Sequence, residues 1–213
     1  LFFISFTNFF FYYLYIMKYF NGNIYEDSLM METILSELDY YSGSERKGMT
    51  VDKHPKDGGS MLYSATWRGP YLSPTKQREY DEETGFWKTK IYAERPELKA
   101  IFKSFASIHF PDFEFISVQM NKNFRIKPHT DSLNTGESIL CCFGNYTGGK
   151  TVVDFDGEIV KYDPRDKPVK FNGSKYRHWV EEFKGTRYSL VFFSNAYLLK
   201  RIAKRNALKA LGL

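Results

Sequence analysis

Five polar residues in the second half of the chain have the types and spacing of a metal site beside an anion site. His129 and Asp131 stand two positions apart, His178 follows about fifty residues later, and Arg187 and Ser189 come soon after it. In a β-strand, residues two positions apart face the same side, so His129 and Asp131 can present an imidazole and a carboxylate to one point. With His178 on a later strand, the three side chains form a two-histidine, one-carboxylate triad.

Such a triad binds a metal ion and leaves some of its coordination positions free for other molecules. It takes one face of an octahedral Fe(II) and leaves three positions for a bidentate 2-oxo acid and dioxygen. Arg187 has a planar guanidinium group that can bind a carboxylate through two hydrogen bonds. Ser189, on the same face of its predicted strand, adds a hydroxyl donor. The five residues therefore predict a site that holds a 2-oxo diacid with its keto-acid end at the metal.

The elements that must position these residues are short strands, which follow one another from residue 113 onward. They include NFRIKPH (123–129), which carries His129, and KYRHWVEEF (175–183), which carries His178. Aromatic and β-branched residues favour pleated, half-buried surfaces. Predicted turns separate the runs at 134–136, 146–149, 156–157 and 172–173, and the Asp-Gly pair at 156–157 is a strong hairpin signal. Eight such runs predict a sandwich, a jelly roll or a small barrel.

Three helices are predicted around this strand-rich part. Residues 26–40 carry acidic groups at their start and apolar residues at near-helical spacing, and residues 96–108 begin at a proline. The apolar residues expected to face the core are Leu29, Ile34, Leu35, Leu38, Leu98, Ile101, Phe102 and Phe105. Residues 197–211 predict a basic C-terminal helix. A strand is predicted at 61–67, between loops at 42–60 and 68–90.

Size and composition are those of one globular domain. The 213 residues are 43% hydrophobic and 26% charged, which excludes a disordered chain. The net charge of +5 is compatible with a nucleic-acid partner but does not require one. Cys141 and Cys142 are adjacent and would point to opposite faces of a strand, so no disulfide is expected and an intracellular location, cytoplasmic or nuclear, is favoured.

The apolar N-terminus, residues 1–16, has two interpretations. One is a short hydrophobic anchor, although the run is shorter than the ~20 residues that a bilayer requires. The other, which we favour, is translation of sequence upstream of a true start at Met17, because the chain begins with Leu rather than Met. A single domain is then expected over residues 17–213, and a membrane partner only if the anchor is genuine.

The order His-x-Asp, His and Arg-x-Ser resembles the double-stranded β-helix Fe(II)- and 2-oxoglutarate-dependent dioxygenases. The resemblance covers residues 113–195 and implies a β-rich α+β fold, with a jelly-roll or cupin-like core, N-terminal helices on its larger sheet and a C-terminal helix. It implies that His129, Asp131 and His178 bind Fe(II) as the catalytic centre, and that Arg187 and Ser189 bind 2-oxoglutarate. Dioxygen is the second cosubstrate, and 2-oxoglutarate is decarboxylated to succinate as a substrate C–H bond is hydroxylated.

Two stretches are similar to the nucleobase-oxidising branch of that superfamily, which contains the ten-eleven-translocation methylcytosine dioxygenases and the thymine hydroxylases of base J synthesis. They run from Gln119 through Asn121 and Asn123 to His129, and over residues 143–149. This similarity implies a nucleic-acid base as substrate. The alternatives are a hydroxylase of a protein side chain or small metabolite, and a cupin-like binding module without activity. Prolyl hydroxylases usually have Lys where this chain has Arg187.

Other polar residues have plainer interpretations. Asn121 and Asn123 are expected to shape a strand entry, and the Gly148-Gly149 pair to form a turn with positive φ. His54 and His109 have no other candidate ligand at a characteristic spacing in the sequence, and both are interpreted as ordinary residues. Exposed aromatic residues such as Trp67, Tyr71 and Trp87 are weak candidates for substrate contacts.

Overall fold

The computed structural model describes residues 20–40, 49–51, 57–66, 79–82, 84–165 and 167–212. The predictions made for residues 1–16, His54, Trp67 and Tyr71 lie outside the described residues. The helices are α1 Ile24–Ser36, α2 Lys90–Glu94, α3 Leu98–His109 and α4 Ala196–Ala210. The strands are β1 Gly59–Tyr63, β2 Ala65–Thr66, β3 Tyr80–Asp81, β4 Phe86–Lys88, β5 Ser117–Lys122, β6 Asn134–Phe143, β7 Tyr146–Gly148, β8 Thr151–Phe155, β9 Glu158–Tyr162, β10 Val169–Phe171, β11 Arg177–Val180, β12 Phe183–Gly185 and β13 Tyr188–Asn195.

Two antiparallel sheets form the β-rich part of the molecule. The larger sheet has the strand order β1-β5-β13-β6-β10, and the smaller one has the order β11-β8-β9. A further segment joins the smaller sheet beside β11, where the backbones of His129 and His178 exchange two hydrogen bonds of 3.0 and 2.9 Å. The chain therefore passes repeatedly from one sheet to the other as it runs from β5 to β13. This is the strand order of a double-stranded β-helix.

The two faces of the larger sheet carry separate apolar clusters. One face packs on α1 and α3, with Met31, Leu35, Phe102, Phe105 and Phe192 among its fully buried residues. The second face of the larger sheet is turned toward the smaller sheet. Its cluster contains Leu140, Cys142 and Phe171 of the larger sheet and Val153 of the smaller one, among others. Cys141 belongs to the first cluster and Cys142 to the second, and both are free thiols, as their strand alternation predicts. The β-rich α+β architecture with helices on the larger sheet is confirmed.

The predicted helices are present with shifted ends. Asn23 caps α1 by accepting hydrogen bonds from the backbone of Tyr25 and Glu26, so this helix starts before residue 26 and ends at Ser36. Leu29 is 48% exposed, so its predicted place in the core is wrong, and Met31 takes that place. In α3 all four apolar residues predicted to face the core are buried.

Several predicted strand boundaries are wrong. Residues 123–129 form two isolated bridges at Ile126 and His129 rather than a continuous strand, since Pro128 has no N–H to donate to a ladder. The predicted turn at 134–136 is the start of β6, which continues because it pairs with the end of β13 beyond a bulge. The predicted turn at 146–149 contains β7, which pairs with β12.

The segments predicted as loops before α3 contain more structure than expected. The predicted strand at 61–67 divides into β1 and β2, and β2 joins β3 and β4 in a small sheet. The helix α2 follows directly and was not predicted. None of the helices within the described residues has the length and apolarity needed to cross a membrane.

Candidate active site

The three predicted metal ligands meet at one point. One ligand atom from each of His129, Asp131 and His178 lies within 4.8 Å of the others. The two carboxylate oxygens of Asp131 divide between the histidines: Oδ1 is 3.4 Å from Nε2 of His129, and Oδ2 is 3.6 Å from Nε2 of His178. The backbone bridge between His129 and His178 fixes this arrangement, since it places the two histidines side by side on adjacent strands.

Hydrogen bonds set the tautomer of both histidines. Nδ1 of His129 lies 2.9 Å from the carbonyl oxygen of Lys127, and Nδ1 of His178 lies 3.0 Å from that of Tyr176. A carbonyl oxygen can only accept, so each Nδ1 carries a proton and the Nε2 of each ring faces the centre of the triad. Metal-binding histidines are oriented in this way. Nε2 of His129 is buried and has no hydrogen-bond partner among the described residues.

Backbone contacts hold Asp131 in place. Its N–H donates to the carbonyl of Gly173 at 2.8 Å, and Asn134 Nδ2 donates to Oδ2 at 3.3 Å. A β-carbon at position 173 would lie 3.3 Å from both Asp131 Oδ2 and the His178 ring. The turn at Gly173 can therefore approach the triad closely because it lacks a side chain.

Arg187 is a buried cation, 2% exposed, just before β13. Its Nη2 donates to Cys142 Sγ at 3.0 Å, while its Nε is buried without a hydrogen-bond partner in the part of the chain that the structure describes. Its guanidinium lies 5.6 Å from the centre of the Tyr146 ring. Over the same described ranges no carboxylate lies within 4.0 Å of it. Asn123 fixes the backbone of Arg187 through two hydrogen bonds, which agrees with the structural role expected for this asparagine.

The groups nearest to this cation are neutral. Burial raises the pKa of the Cys142 thiol above its ordinary value, although the nearby Arg187 lowers it in part. Burial also raises the pKa of the Tyr146 hydroxyl. Neither group therefore supplies a negative charge near pH 7. The Asp163 carboxylate interacts with Arg187 at longer range, but its hydrogen bonds go to Arg165.

The triad and Arg187 open onto the same cavity, of about 630 Å³ including the space at its mouth. Ser189 lines it too, so the structure brings together all five residues predicted from the sequence. Ser138 and Thr151 also line it, and their hydroxyls are buried without hydrogen-bond partners among the described residues. Neither was predicted. Ser138 could have been found from strand alternation, since it lies on the same face of β6 as Cys142, which contacts Arg187.

Solved structures of oxygenases show similarity to this chain. An oxidoreductase of the 2OG-Fe(II) oxygenase family from Burkholderia pseudomallei is 20% identical with a TM-score of 0.34, over 48% of this chain and 53% of that protein, so this chain spans about half its length. NgTET1, in complex with 5mC DNA, is 18% identical with a TM-score of 0.44, over 83% of this chain and 69% of that one. A prolyl hydroxylase from Trichoplax adhaerens, in complex with a hypoxia inducible factor peptide fragment, is 12% identical with a TM-score of 0.45, over 83% and 79% of the two chains.

No family model and no curated protein matches the sequence. The likeness to these solved structures concerns the fold, and the strand order of the two sheets decides it. The double-stranded β-helix is confirmed.

Proposed function

We propose that this chain is an Fe(II)- and 2-oxoglutarate-dependent dioxygenase that hydroxylates a C–H bond. The observation that supports it most is that one cavity contains both an open-sided ligand triad and a buried guanidinium without an ionic partner among the described residues. A triad alone would also suit a structural metal site, and a buried arginine alone would also suit a role in packing. Together they match a cosubstrate that binds a metal at one end and a cation at the other.

The donor set fits Fe(II). Two neutral imidazole nitrogens and one carboxylate occupy one side of the centre, which is the ligand set of non-haem iron oxygenases. Both histidines are held by backbone carbonyls, and Asp131 by Asn134 and the backbone of Gly173. Such outer contacts orient the ligands and raise their basicity.

The state of Arg187 argues for an anionic ligand. A buried charge without a partner is strongly destabilising, and a carboxylate that accepts two hydrogen bonds from the guanidinium offsets that cost. The hydroxyls of Ser138 and Thr151 add donors to the same cavity, as does Ser189. We propose that Arg187 and Ser189 hold the distal carboxylate of 2-oxoglutarate.

The residues then have separate roles. His129, Asp131 and His178 hold the iron, while Arg187 orients the cosubstrate and apolar walls such as Leu140 and Phe171 exclude water. When bound, the iron couples dioxygen and the oxidative decarboxylation of 2-oxoglutarate, which yields succinate and carbon dioxide, to hydroxylation of the substrate. The protein supplies binding, orientation and exclusion of side reactions.

For the substrate class we propose a nucleic-acid base. A second groove shares Asp131, Asn134 and Gln119 with the cavity and adds Asn195 and the 73% exposed Leu133. Amide side chains pair with the edges of bases, and extruded bases pack against apolar side chains. The net charge of +5 favours a polyanionic partner. Hydroxylation of a protein side chain or small metabolite is the competing proposal on the same fold.

The proposal is tested by anaerobic titration of the purified protein with Fe(II), with and without 2-oxoglutarate. We expect a weak visible absorption band that requires both components and is absent in His129→Ala. In Arg187→Ala the band should appear only at a much higher concentration of 2-oxoglutarate, because the carboxylate loses its charged partner. The matched control is Arg177→Ala, an exposed arginine beside His178. If no band forms and all variants behave alike, the cupin-like binding module takes the place of this proposal.

The substrate class is tested by succinate release in air. Oligonucleotides with methylated or unmethylated cytosine or thymine should stimulate succinate formation, whereas proline-containing peptides should not. Stimulation by peptides alone would favour the competing proposal.

A further inference from the structure

A row of buried polar side chains crosses the larger sheet at the wall of the cavity, and three of its four residues line that cavity. Ser60 on β1, Asn121 on β5 and Ser189 on β13 stand directly opposite one another in the strand pairing. Gln119 lies two residues before Asn121, on the same face of β5. The four residues are 3–9% exposed.

Three hydrogen bonds join these side chains in one direction. Gln119 Nε2 donates to Ser60 Oγ at 2.9 Å, Ser60 Oγ donates to Asn121 Oδ1 at 2.6 Å, and Asn121 Nδ2 donates to Ser189 Oγ at 3.1 Å. A serine hydroxyl has a single proton. Because Ser60 gives its proton to Asn121, it can only accept from Gln119. Because Ser189 accepts from Asn121, its own proton remains free for the cavity.

The reverse direction would give the opposite result. If Asn121 turned its amide over, its oxygen would face Ser189 and take up the proton of that hydroxyl. Ser189 would then present only lone pairs to the cavity, and a carboxylate bound there would be repelled rather than held. The direction of the row therefore decides whether Ser189 can act as a donor.

We propose that Gln119, Ser60 and Asn121 form a directional hydrogen-bond relay that keeps Ser189 a donor to the carboxylate of the cosubstrate. The three are positioning residues, since they act through Ser189. The inference rests on the proposed binding of 2-oxoglutarate. Ser60 and Asn121 set the direction, and Gln119 permits it, because its Nε2 donates to Ser60 and leaves the proton of Ser60 to Asn121.

Two substitutions of Gln119 separate direction from packing. In Gln119→Met the first hydrogen bond is lost, but Ser60 still donates to Asn121 and the direction is kept. In Gln119→Glu the ionised carboxylate can only accept, so Ser60 donates to it and Asn121 must reverse its amide. We expect the dissociation constant of 2-oxoglutarate to rise about tenfold or more in Gln119→Glu, as for a lost hydrogen bond to a charged group, and to stay within about twofold in Gln119→Met.

The dissociation constant is measured by calorimetry with Mn(II) in place of Fe(II), so that no turnover occurs. Ser60→Ala removes the fixed direction without adding charge, and it should weaken 2-oxoglutarate binding severalfold, whereas Ser60→Thr should restore it. Ser64→Ala is the matched control, because it removes another buried hydroxyl, bonded to Ser117 and outside the relay. Affinity for Mn(II) alone should be equal in all variants.

The outcomes are distinct. Weak binding in Gln119→Glu and Ser60→Ala with normal binding in Gln119→Met supports the relay. Charge repulsion alone would weaken 2-oxoglutarate binding only in Gln119→Glu, so an unchanged affinity in Ser60→Ala overturns the relay. An equal loss of affinity in Gln119→Met and Gln119→Glu overturns it as well. Failure of the parent protein to bind 2-oxoglutarate would instead overturn the proposed function.

Discussion

Gly149 controls the space available to Arg187. Its φ of +68° is in the left-handed region, and a β-carbon there would lie 3.1 Å from Cδ and 3.2 Å from Nε of Arg187. The glycine pair at 148–149 was predicted as a turn with positive φ. Both residues have positive φ, but Gly148 lies in β7 rather than in a turn. The same β-carbon at position 149 would lie 3.0 Å from Cβ of Phe183, so Arg187 and Phe183 would both have to shift by a few tenths of an ångström.

Gly149→Ala is therefore expected to weaken 2-oxoglutarate binding by displacing Arg187. Gly136→Ala is the matched control: its φ is +70° and no atom of the described residues lies within 4 Å of the added β-carbon. Both variants should lose about 1 kcal/mol of stability from the left-handed backbone. Only Gly149→Ala should raise the dissociation constant of 2-oxoglutarate in calorimetry. Equal affinities in the two variants would contradict the steric role of Gly149.

Among the elements, α1 and α3 are joined by a buried hydrogen bond between His109 and Asp27. His109, the last residue of α3, places Nε2 2.8 Å from Oδ2 of Asp27 in the first turn of α1. Asp27 is fully buried and also accepts hydrogen bonds from the backbone of Asn21 and Gly22, both at 3.0 Å. This contact is structural, which agrees with the interpretation of His109 as an ordinary residue. Its partner is 82 residues away in the sequence, so no local spacing could reveal it.

Asp27→Ala is expected to lower the free energy of unfolding by about 3 kcal/mol, because it leaves buried donors without an acceptor. Urea unfolding measures the loss. Glu37→Ala, which removes an exposed carboxylate at the other end of α1, should change stability little. The helix pair lies on the opposite face of the larger sheet from the cavity, so 2-oxoglutarate affinity should be retained in both variants. A stability loss in Asp27→Ala no larger than in Glu37→Ala would contradict the role of the pair.

At the scale of the whole molecule, the core buries ionisable groups in their neutral forms. Burial raises the pKa of Tyr40, and the neighbouring Tyr188 raises it further. Burial likewise raises the pKa of the Cys141 thiol well above its ordinary value. In the unfolded chain these groups ionise at their ordinary pKa, so above that pH the unfolded state binds fewer protons than the folded one. The stability that depends on these buried groups is therefore fully present below about pH 8 and is lost as the pH rises further.

Tyr40→Phe is expected to reduce this alkaline loss. The Tyr40 hydroxyl is buried and has no hydrogen-bond partner among the described residues, so its removal should cost little near neutral pH. Urea unfolding of parent and variant at about pH 8 and about pH 10.5 measures how much the free energy of unfolding of each protein falls with pH. The variant should match or exceed the parent at the lower pH and lose less stability at the higher one. Parallel losses would show that Tyr40 ionises as readily in the folded protein as in the unfolded chain.

The fold class and the five principal residues of the candidate site could be predicted from local patterns in the sequence. Strand alternation and turn residues are local signals, and they predicted the β-rich core and the opposite orientations of Cys141 and Cys142. The order of His129, Asp131, His178 and Arg187 predicted residues that do meet in one cavity. Their types and spacing were enough to predict that they lie together, while the binding of metal and carboxylate by these residues stays a prediction.

Which distant residues face one another could not be predicted from the sequence and is known from the folded chain. The predicted strand at 123–129 survives only as bridges at Ile126 and His129, yet the bridge to His178 still aligns the ligands. Ser138 and Thr151 line the cavity, and Ser60 reaches Asn121, 61 residues away, through strand pairing. Hydrogen bonds across a sheet depend on which strands are neighbours and in what register. Both are set by packing of the whole chain rather than by any local pattern.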